Sequence, residues 1–370
     1  MKPSGIEWIG DIPDDWEVRR GKYTLDLLMR PIRDNDEIIT CFRDGQVTRR
    51  SNRREDGFTF ADKEIGYQGI LKGDLVIHGM DGFAGAIGIS DSDGKGSPVL
   101  NVCRPKNGSD TRYINYYLRT LALQNVFIAL STGIRERSCD LRWKKIAELL
   151  FTIPPLKTQQ RIADYLDEKC GEIDATIAKQ KESIEKLKAY KQSLISETVT
   201  KGLDKSAPLK PSGIKWLGEI PQNARIIRLR FLSSIQTGDK DTANRVENGK
   251  YPFYVRSPIV ERIDTFSFDG EAILMAGDGV GAGKVFHYVN GKFDYHQRVY
   301  NIHNLKGVLG KFLYYYLREN FYKEIEQSNA KSTVDSIRLP MLLDFPIIVY
   351  PYDLQKEIVS FLDKKVAEID

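Results

Sequence analysis

Hydrophobic residues follow a seven-residue repeat along one stretch in the middle of the chain, from about Gln159 to Thr200. Stepping by four and three residues from Leu166, the pattern meets ten positions, seven of them apolar or cysteine: Leu166, Cys170, Ile173, Ile177, Gln180, Ile184, Leu187, Lys191, Leu194 and Thr198. We call these positions the seam. A sustained heptad with charged flanks predicts a coiled-coil helix about 60 Å long. A solvent-exposed amphipathic helix is the alternative.

The sequence also predicts the ends of this helix. Pro154-Pro155 keep the preceding chain from being helical, and Lys201-Gly202 close the helix. Gln180 and Lys191 interrupt the seam, where they either fix the register and the partner or mark a solvated stretch.

The chain contains an internal duplication. Residues 2–13 read KPSGIEWIGDIP and residues 210–221 read KPSGIKWLGEIP, with nine of twelve positions identical at an offset of 208. Chance does not produce such a match, and a fixed offset indicates a repeated structural unit. The segments 22–72 and 230–269 are dissimilar in sequence. The two copies of the scaffold therefore carry two different variable segments, which we call the readers because each is expected to recognise a different target.

Matching secondary-structure signals continue through both halves. An apolar strand precedes an Asp-Gly loop in each half, a tyrosine-rich helix follows, and a Pro-containing extended segment closes the half, at Phe151–Leu156 and Phe345–Leu354. Short apolar runs predict strands at Ile38–Phe42, Leu75–His78, Ala86–Ser90, Ile273–Met275 and Lys284–Val289. Each half is therefore expected to be a mixed domain followed by a heptad helix.

The second heptad helix is shorter than the first. Its seam comprises Ile358, Leu362, Val366 and Ile369, and the sequence ends at Asp370. In an antiparallel pair the short helix should cover the long one near Leu187 and Leu194. The sequence therefore predicts that another chain covers the stripe at Ile173 and Ile177, either a second protein or a second copy of this one.

Composition narrows the class of protein. The 370 residues are 41% hydrophobic and 29% charged, which is typical of globular proteins. The four cysteines have no CxxC spacing, and neither a signal-peptide core nor an apolar run of membrane-spanning length is present. We expect a cytoplasmic protein with no metal site. The net charge of +4 permits nucleic-acid binding without requiring it.

Catalytic motifs are missing from the sequence. The stretch Gly277–Gly283 contains GxGxG, but a strand-like segment follows, whereas a dinucleotide site needs a helix there. We therefore predict a turn between strands. The four histidines have no metal-ligand spacing, and no GxSxG occurs.

An arginine cluster is the clearest binding signal. Five arginines fall within twelve residues, interleaved with Thr, Ser and Asn: Arg43, Arg49, Arg50, Arg53 and Arg54. Arg30 and Arg33 lie just upstream. The planar guanidinium can bind a phosphate or guanine with two hydrogen bonds, so the cluster suits DNA. A solvated charged loop is the alternative interpretation.

The second half carries a different candidate set. Gln297 suits adenine, and Arg298 suits guanine or phosphate. The full predicted DNA-binding set is Arg33, Arg43, Arg49, Arg50, Arg53, Arg54, Arg135, Arg137, Lys240, Arg245, Arg256, His296, Gln297, Arg298, Lys331 and Arg338.

These motifs resemble those of the specificity subunits of Type I DNA restriction–modification enzymes. The resemblance rests on the two duplicated openings, on PPLKTQQRIADYLDEKCGEID at 154–174 leading into the heptad helix, and on KQSLISETVTKGL at 191–203. It covers essentially the whole chain. The short second helix is a departure from the family pattern.

The resemblance implies a fold and a domain plan. The expected fold class is α+β, with two pseudo-repeated target-recognition domains joined by long heptad helices that form an antiparallel coiled-coil spacer. The expected ranges are 1–157 for the first domain, 158–200 for the spacer helix, 201–210 for a linker, 211–352 for the second domain and 353–370 for the second helix.

The resemblance also implies a function. Each domain would read half of a bipartite DNA site, and the helices would set the gap and dock two modification subunits, with restriction subunits as further partners. Methylation and cleavage, with S-adenosylmethionine, ATP and magnesium, would belong to those partners. A bivalent coiled-coil adaptor without DNA specificity is the alternative. A fragment of a fused methyltransferase is disfavoured because no such segment occurs.

Overall fold

The computed structural model describes residues 1–53, 65–130, 140–328 and 336–370, with the side chains of 324–328 left aside. The chain divides into two compact units, Met1–Ile177 and Ala178–Asp370. One continuous helix crosses the boundary between them. The domain ranges given above remain predictions.

The first unit contains short strands and helices in mixed order. Its strands are β1 (Lys2–Pro3), β2 (Asp11–Ile12), β3 (Glu17–Arg20), β4 (Leu25–Leu27), β5 (Ile39–Cys41), β6 (Val47–Arg49), β7 (Gln68–Ile70), β8 (Leu75–His78), β9 (Ile87–Ile89), β10 (Gly94–Gly96), β11 (Leu100–Pro105) and β12 (Leu150–Ile153). Its helices are α1 (Gly21–Thr24), α2 (Thr111–Leu123), α3 (Val126–Ala129), α4 (Trp143–Glu148) and the start of α5 (Leu156–Lys201).

The second unit follows the same general succession of strands, tyrosine-rich helix, closing strand and final helix, with fewer and longer strands. Its strands are β13 (Leu209–Pro211), β14 (Glu219–Pro221), β15 (Arg225–Arg228), β16 (Ser234–Thr237), β17 (Tyr251–Tyr254), β18 (Glu261–Ile263), β19 (Phe268–Ala276), β20 (Phe286–Tyr295), β21 (Val299–His303) and β22 (Pro346–Val349). Its helices, besides the end of α5, are α6 (Gly310–Ser328), α7 (Leu339–Leu343) and α8 (Tyr352–Ile369).

The sheets show that the duplication extends to topology. Within the described residues, the main sheet of the first unit has the antiparallel order β4-β11-β8-β9, and that of the second begins β16-β21-β19-β20. The second sheet continues with β17 and β18, and β17 pairs with β20 in parallel. The closing strands also correspond, because β3 pairs with β12 and β15 with β22. The predicted common scaffold with different intervening segments is confirmed.

Both faces of each main sheet are covered. In β8, Leu75 and Ile77 pack with α2, while Val76 points into a second cluster with Ile39 and Val47. Alternating residues of a strand point to opposite faces, so the continuous apolar run of β8 reflects burial on both sides. Ile273 and Met275 in β19 pack in the core of the second unit with the apolar side of α6.

The long helix runs from Leu156 to Lys201, 46 residues and about 70 Å. It begins directly after Pro154-Pro155, as predicted. It ends before Gly202, whose φ of 76° is left-handed and whose amide donates to the Thr198 carbonyl. Such a glycine is a common helix terminator.

The short helix α8 runs antiparallel to the end of α5 in the second unit. The Lys191 ammonium is 2.5 Å from the Asp370 carboxylate, while Phe361 lines a small cavity with Leu194 and Leu203. Ile195, Val199, Ile358 and Leu362 are buried in one core. The predicted pairing at this end of the long helix agrees with these contacts, although the seam pattern missed Ile195 and Val199.

Three predicted segments have boundaries that differ from those of the structure. The extended segment Phe345–Leu354 is shorter than predicted, because β22 ends at Val349 and α8 already contains Leu354. Pro351 immediately precedes this helix, and its ring favours the φ that a helix start requires. The predicted strands Ala86–Ser90 and Ile38–Phe42 each lose a residue at both ends.

Candidate nucleic-acid interface

The arginines predicted in the first unit surround the β5–β6 hairpin. Gly45 turns the hairpin with a φ of 92°, and a short 3-10 helix at Arg50–Asn52 follows β6. Arg43 lies in the hairpin loop, Arg49 ends β6, and Arg53 follows the 3-10 helix. The structure therefore brings this part of the cluster together. Arg54, Arg135 and Arg137 lie outside the described residues.

Carboxylates surround these arginines. The nitrogen–oxygen distances are 3.0 Å for Arg33–Asp36, 2.8 Å for Arg43–Asp81, 2.9 Å for Arg49–Glu37 and 2.7 Å for Arg53–Asp44. Arg33 also approaches Asp93 at 3.4 Å, and Arg50 approaches the Thr40 hydroxyl at 3.4 Å. The cluster is thus a set of exposed ion pairs rather than a bare positive patch.

This pairing changes how the cluster can bind DNA. A phosphate must compete with the carboxylate that already neutralises each guanidinium, so the net electrostatic attraction is weaker than the arginine count suggests. A paired arginine is instead held in one orientation. Arg53 shows this, because its guanidinium also lies 4.2 Å from the centre of the Phe42 ring.

The second candidate set converges on one turn. Arg256 donates to Asp278 at 3.0 Å, and the same carboxylate lies 3.7 Å from Arg298. The Gln297 amide donates to Asp241 at 3.2 Å, and its backbone amide donates to the Lys240 carbonyl.

The remaining candidates of the second half are more dispersed. Arg245 approaches Glu261 at 3.4 Å, and Lys240 approaches Asp239 at 3.1 Å. Arg338 is exposed at the start of α7. Lys331 lies outside the described residues.

His296 lies in the interior, in contrast to its neighbours Gln297 and Arg298. It is 2% exposed, and its Nδ1 accepts a hydrogen bond from the Arg298 amide at 2.9 Å. Burial lowers the pKa of the imidazole, Arg256 and Arg298 lower it further, and Asp241 and Asp278 oppose them. The ring therefore holds the turn that carries Gln297 and Arg298, and its burial leaves little of its surface for the direct DNA contact predicted from the sequence.

An arginine–aspartate pair recurs in the two units at equivalent places. Asp81 follows β8 and holds Arg43, and Asp278 follows β19 and holds Arg256. The sequence had indicated both Asp-Gly steps only as turns. Their carboxylates belong to the candidate site, and the sequence did not indicate them because the partner arginines lie 38 and 22 positions away.

The glycine-rich stretch is a turn between β19 and β20, as predicted. Gly279 and Gly283 have φ values of 71° and 64°, which side chains with a Cβ rarely adopt. Close packing accounts for Gly277, since a Cβ there would lie 3.0 Å from the Arg298 carbonyl oxygen. The turn thus supports the Arg256–Asp278–Arg298 group instead of cradling a nucleotide.

Arg30, which the sequence placed beside the cluster, belongs to an ion group around one buried carboxylate, that of Asp74. It forms a two-point contact with Asp74, whose side chain is fully buried and also accepts from Arg104 at 2.8 Å and from the Leu71 amide at 2.8 Å. Removing one partner from such a group is costly, because a buried charge loses its compensation. Arg30 is thus a structural residue.

The seam residues differ in exposure. Ile173 and Ile177 are 58% and 42% exposed, and Ile184 and Leu187 are 50% and 46% exposed. Leu166, Leu194, Val366 and Ile369 are partly buried, and Ile358 and Leu362 are fully buried. The middle of the long helix therefore presents large apolar side chains to solvent, while the ends contact the units.

No group of three or more His, Cys, Asp or Glu among the described residues is arranged to hold a metal ion. In the same part of the chain, no helix combines the length and the apolarity needed to cross a membrane.

Comparisons with known proteins agree with this architecture. The chain is 32% identical over 154 residues to the Type I restriction enzyme EcoDI specificity subunit of Escherichia coli, across 41% of this chain and 33% of that protein. It is 25% identical over 237 residues to the putative type I restriction enzyme MjaX specificity subunit of Methanocaldococcus jannaschii, across 60% of this chain and 53% of that protein. The chain thus spans a third to about half of the length of these relatives.

A solved structure supports the fold. A chain in a structure of the type I R-M system superimposes with a TM-score of 0.72 over 97% of this chain and 92% of that one, at 16% identity. The family described as Type I restriction modification DNA specificity domain matches residues 51–188 and again residues 222–370. Because these two matches cover more than half of the sequence, the chain belongs to the Type I restriction modification DNA specificity domain family.

Proposed function

We propose that this chain is the DNA-recognition subunit of a Type I restriction–modification complex and that each unit reads one half of a bipartite duplex site. One observation supports the proposal most strongly. The two units share a scaffold, and beside the equivalent turns at Asp81 and Asp278 they expose two dissimilar sets of arginine and amide side chains. Two units with the same scaffold but different DNA-contacting side chains suit an asymmetric DNA site that consists of two different half-sites. The protein-interaction adaptor has no comparable support.

In this proposal the chain recognises DNA and leaves the chemistry to its partners. Two modification subunits would transfer methyl groups from S-adenosylmethionine, and restriction subunits, where the system has them, would use ATP and magnesium. The support is the character of the two candidate sets, which consist of ion pairs and amides suited to binding. The expected location is the cytoplasm, where the DNA and these partners occur.

The exposed seam supports the docking of a partner. Ile173, Ile177, Ile184 and Leu187 lie at heptad positions of a single helix and remain exposed. Exposed apolar stripes with charged flanks mark interaction surfaces. We assign this stripe to a modification subunit, with a second copy of the chain as the competing occupant.

Methylation mapping tests the proposal. Genomic DNA from the host should contain one asymmetric bipartite motif whose methylation disappears when the gene for this chain is deleted. The purified chain with its modification subunits should then bind a duplex with that motif at least about 1,000-fold more tightly than random DNA. A duplex with one half-site scrambled serves as the control. If deletion leaves every methylated motif intact, the proposal is wrong.

A further inference from the structure

In each unit the helix that follows the closing strand, α5 or α8, is attached to the tyrosine-rich helix through an aspartate carboxylate, and in the first unit Arg112 also pairs with Asp164 of α5 at 2.8 Å. In the first unit, Asp167 of α5 accepts from the Tyr116 hydroxyl at 2.7 Å and from the Arg112 guanidinium at 2.7 Å. The second unit repeats the arrangement with Asp363 of α8, which accepts from the Tyr315 hydroxyl and the Lys311 ammonium, both at 2.7 Å. In both units the tyrosine and the cation are four residues apart and lie on one helix face.

A buried glutamine makes a second attachment eight residues earlier. The side-chain oxygens of Gln159 and Gln355 accept from backbone amides at the start of the tyrosine-rich helices, at 2.9 Å from Asp110 and 2.8 Å from Leu309. Their amide nitrogens each donate at 2.8 Å to the carbonyl five residues before: Pro154 and Tyr350. Both glutamines are at most 2% exposed.

The spacing turns these contacts into a two-point attachment. Eight residues are slightly more than two turns of an α-helix, so the glutamine and the aspartate lie on the same face. One point would allow the helix to pivot, whereas two points along its axis fix its angle and its register. We call each set of glutamine, aspartate, tyrosine and cation a clasp.

The chemistry of the clasp favours a fixed geometry. A buried amide that loses its partners is costly, so each glutamine opposes sliding of the helix. Burial, reinforced by the neighbouring aspartate, raises the pKa of Tyr116 and of Tyr315, so both hydroxyls remain protonated donors. The hydrogen bonds to the carboxylate are charge-assisted and directional.

The position of the first clasp indicates more than a contribution to stability. After the clasp residue Asp167, α5 continues to the end of this unit, and every residue from Gly171 to Ile177 is exposed. The clasp is therefore the last fixed point before the helix leaves the packed part of its unit. A pivot of about 5° at that point would displace a position 40 Å along the helix by about 3.5 Å, roughly one base-pair rise.

We propose that the two clasps position the readers and thereby set the number of base pairs between the two half-sites. The inference rests on the proposed function and adds the residues that determine the gap: Gln159, Asp167, Arg112, Tyr116, Gln355, Asp363, Lys311 and Tyr315. None of these side chains needs to touch DNA. The clasp residues occur in both units although the readers differ in sequence, because in both units a helix has to be held at a fixed angle and register.

A gap series tests the inference. The full chain with its modification subunits is titrated with duplexes that carry the mapped site at its native gap, or with one base pair added or removed. One base pair rotates a half-site by about a tenth of a turn, so the unaltered complex should strongly prefer the native gap. In the double variants Tyr116→Phe with Asp167→Asn and Tyr315→Phe with Asp363→Asn, this preference should fall at least about five-fold, the equivalent of one lost hydrogen bond.

Matched controls separate positioning from a general loss of charge. Asp174→Asn and Glu357→Gln remove exposed carboxylates from the same two helices and should leave the gap preference unchanged. Amide hydrogen exchange near Gln159 should rise in the first double variant and not in the Asp174→Asn control. If a double variant fails to fold, Tyr116→Phe and Tyr315→Phe alone, which lose a single hydroxyl each, give the same comparison.

The outcomes distinguish the two proposals. If the variants recognise both half-sites with the gap preference of the unaltered complex, the clasp inference is overturned and the proposed function stands. If the unaltered complex binds every gap equally well, the bipartite reading itself is wrong and the clasp inference falls with it. Weaker gap preference in the variants, with half-site recognition retained, supports the inference.

Discussion

At the scale of single residues, the candidate DNA interface contains carboxylates as well as arginines. Glu37, Asp44, Asp81 and Asp278 each hold a guanidinium that the sequence marked as a DNA ligand. Most of these pairs are exposed, and such pairs add little to the stability of the fold. In the proposed DNA complex each carboxylate would compete with phosphate for its arginine and would orient that arginine.

Removing one of these carboxylates should therefore strengthen DNA binding. Glu37→Gln frees Arg49, so the affinity for random duplex should rise and its dependence on salt should steepen by up to about one unit of logarithmic slope. Fluorescence anisotropy across a salt series measures both quantities. Glu7→Gln, an exposed carboxylate elsewhere in the unit, is the charge-matched control. Weaker binding in Glu37→Gln would indicate instead that Glu37 orients Arg49 for a specific contact.

His296 should make the second unit sensitive to acid. Burial lowers the pKa of this histidine below its ordinary value of 6.5, so the unfolded chain takes up the proton at a higher pH than the folded one. Its contribution to stability is complete above pH 6.5 and is lost as the pH falls toward the folded-state pKa. Urea unfolding between pH 8 and 5 should show a steeper loss of stability in the unaltered chain than in His296→Gln.

His303→Gln is a useful control for this measurement, because His303 lies partly exposed on the neighbouring strand β21. An identical pH dependence in the unaltered chain and in His296→Gln would contradict the prediction. Burial also lowers the pKa values of His78 and His287, so both histidines make the free energy of unfolding fall with pH in the same direction. They account for the pH dependence that is left in His296→Gln.

At the scale of elements, the long helix serves two purposes along its length. Its first turns and its last turns pack against the units, whereas its middle presents an exposed apolar stripe. The charged residues between the seam positions keep this stripe narrow. A narrow stripe of this kind is typical of a helix that pairs with another helix rather than with a globular core.

Charges placed in the stripe should abolish partner binding. Burying an isoleucine side chain stabilises a complex by about 1.5–3 kcal/mol, so Ile173→Asp with Ile177→Asp should weaken association with the modification subunits at least about 100-fold. Light scattering and calorimetry measure the assembly, and circular dichroism checks the fold. Ala175→Asp with Ala178→Asp places the same charges off the seam and should bind normally. If the variant with Ile173→Asp and Ile177→Asp binds the modification subunits as tightly as the unaltered chain, the stripe is not their binding site.

At the scale of the whole molecule, the proposed function assigns one half-site to each of the two compact units. Arg49 and Gln297 lie in different units, so Arg49→Ala should relax or weaken recognition of one half-site and Gln297→Ala that of the other. A lost bidentate contact to a base costs about 1–3 kcal/mol of discrimination. Selection from randomised duplex pools reports each position separately, and the double variant should show the sum of the two effects. Relaxed recognition of both half-sites by either single change would contradict independent reading.

The sequence predicted the regular and repeated features of this protein. Heptad periodicity located the long helix to within three residues of its start and one of its end, and the duplicated openings revealed a common scaffold that the strand orders confirm. The dipeptide Pro154-Pro155 and Gly202 placed the helix ends, and the strand after Gly277–Gly283 excluded a dinucleotide loop. Each of these signals depends on neighbouring residues, and local periodicity is what a sequence displays directly.

The tertiary structure decided which side chains meet. The sequence contained Glu37 and Arg49, Gln159 and Asp110, and Ile195 and Ile358, but nothing local to any of them indicated these associations. They depend on how the chain returns to itself across tens to hundreds of residues, and that path is fixed by the packing of both sheet faces. The sequence therefore indicated only which residue types could bind DNA. The partner, orientation and exposure of each residue were fixed only by the fold, because pairing and burial are properties of non-local contacts.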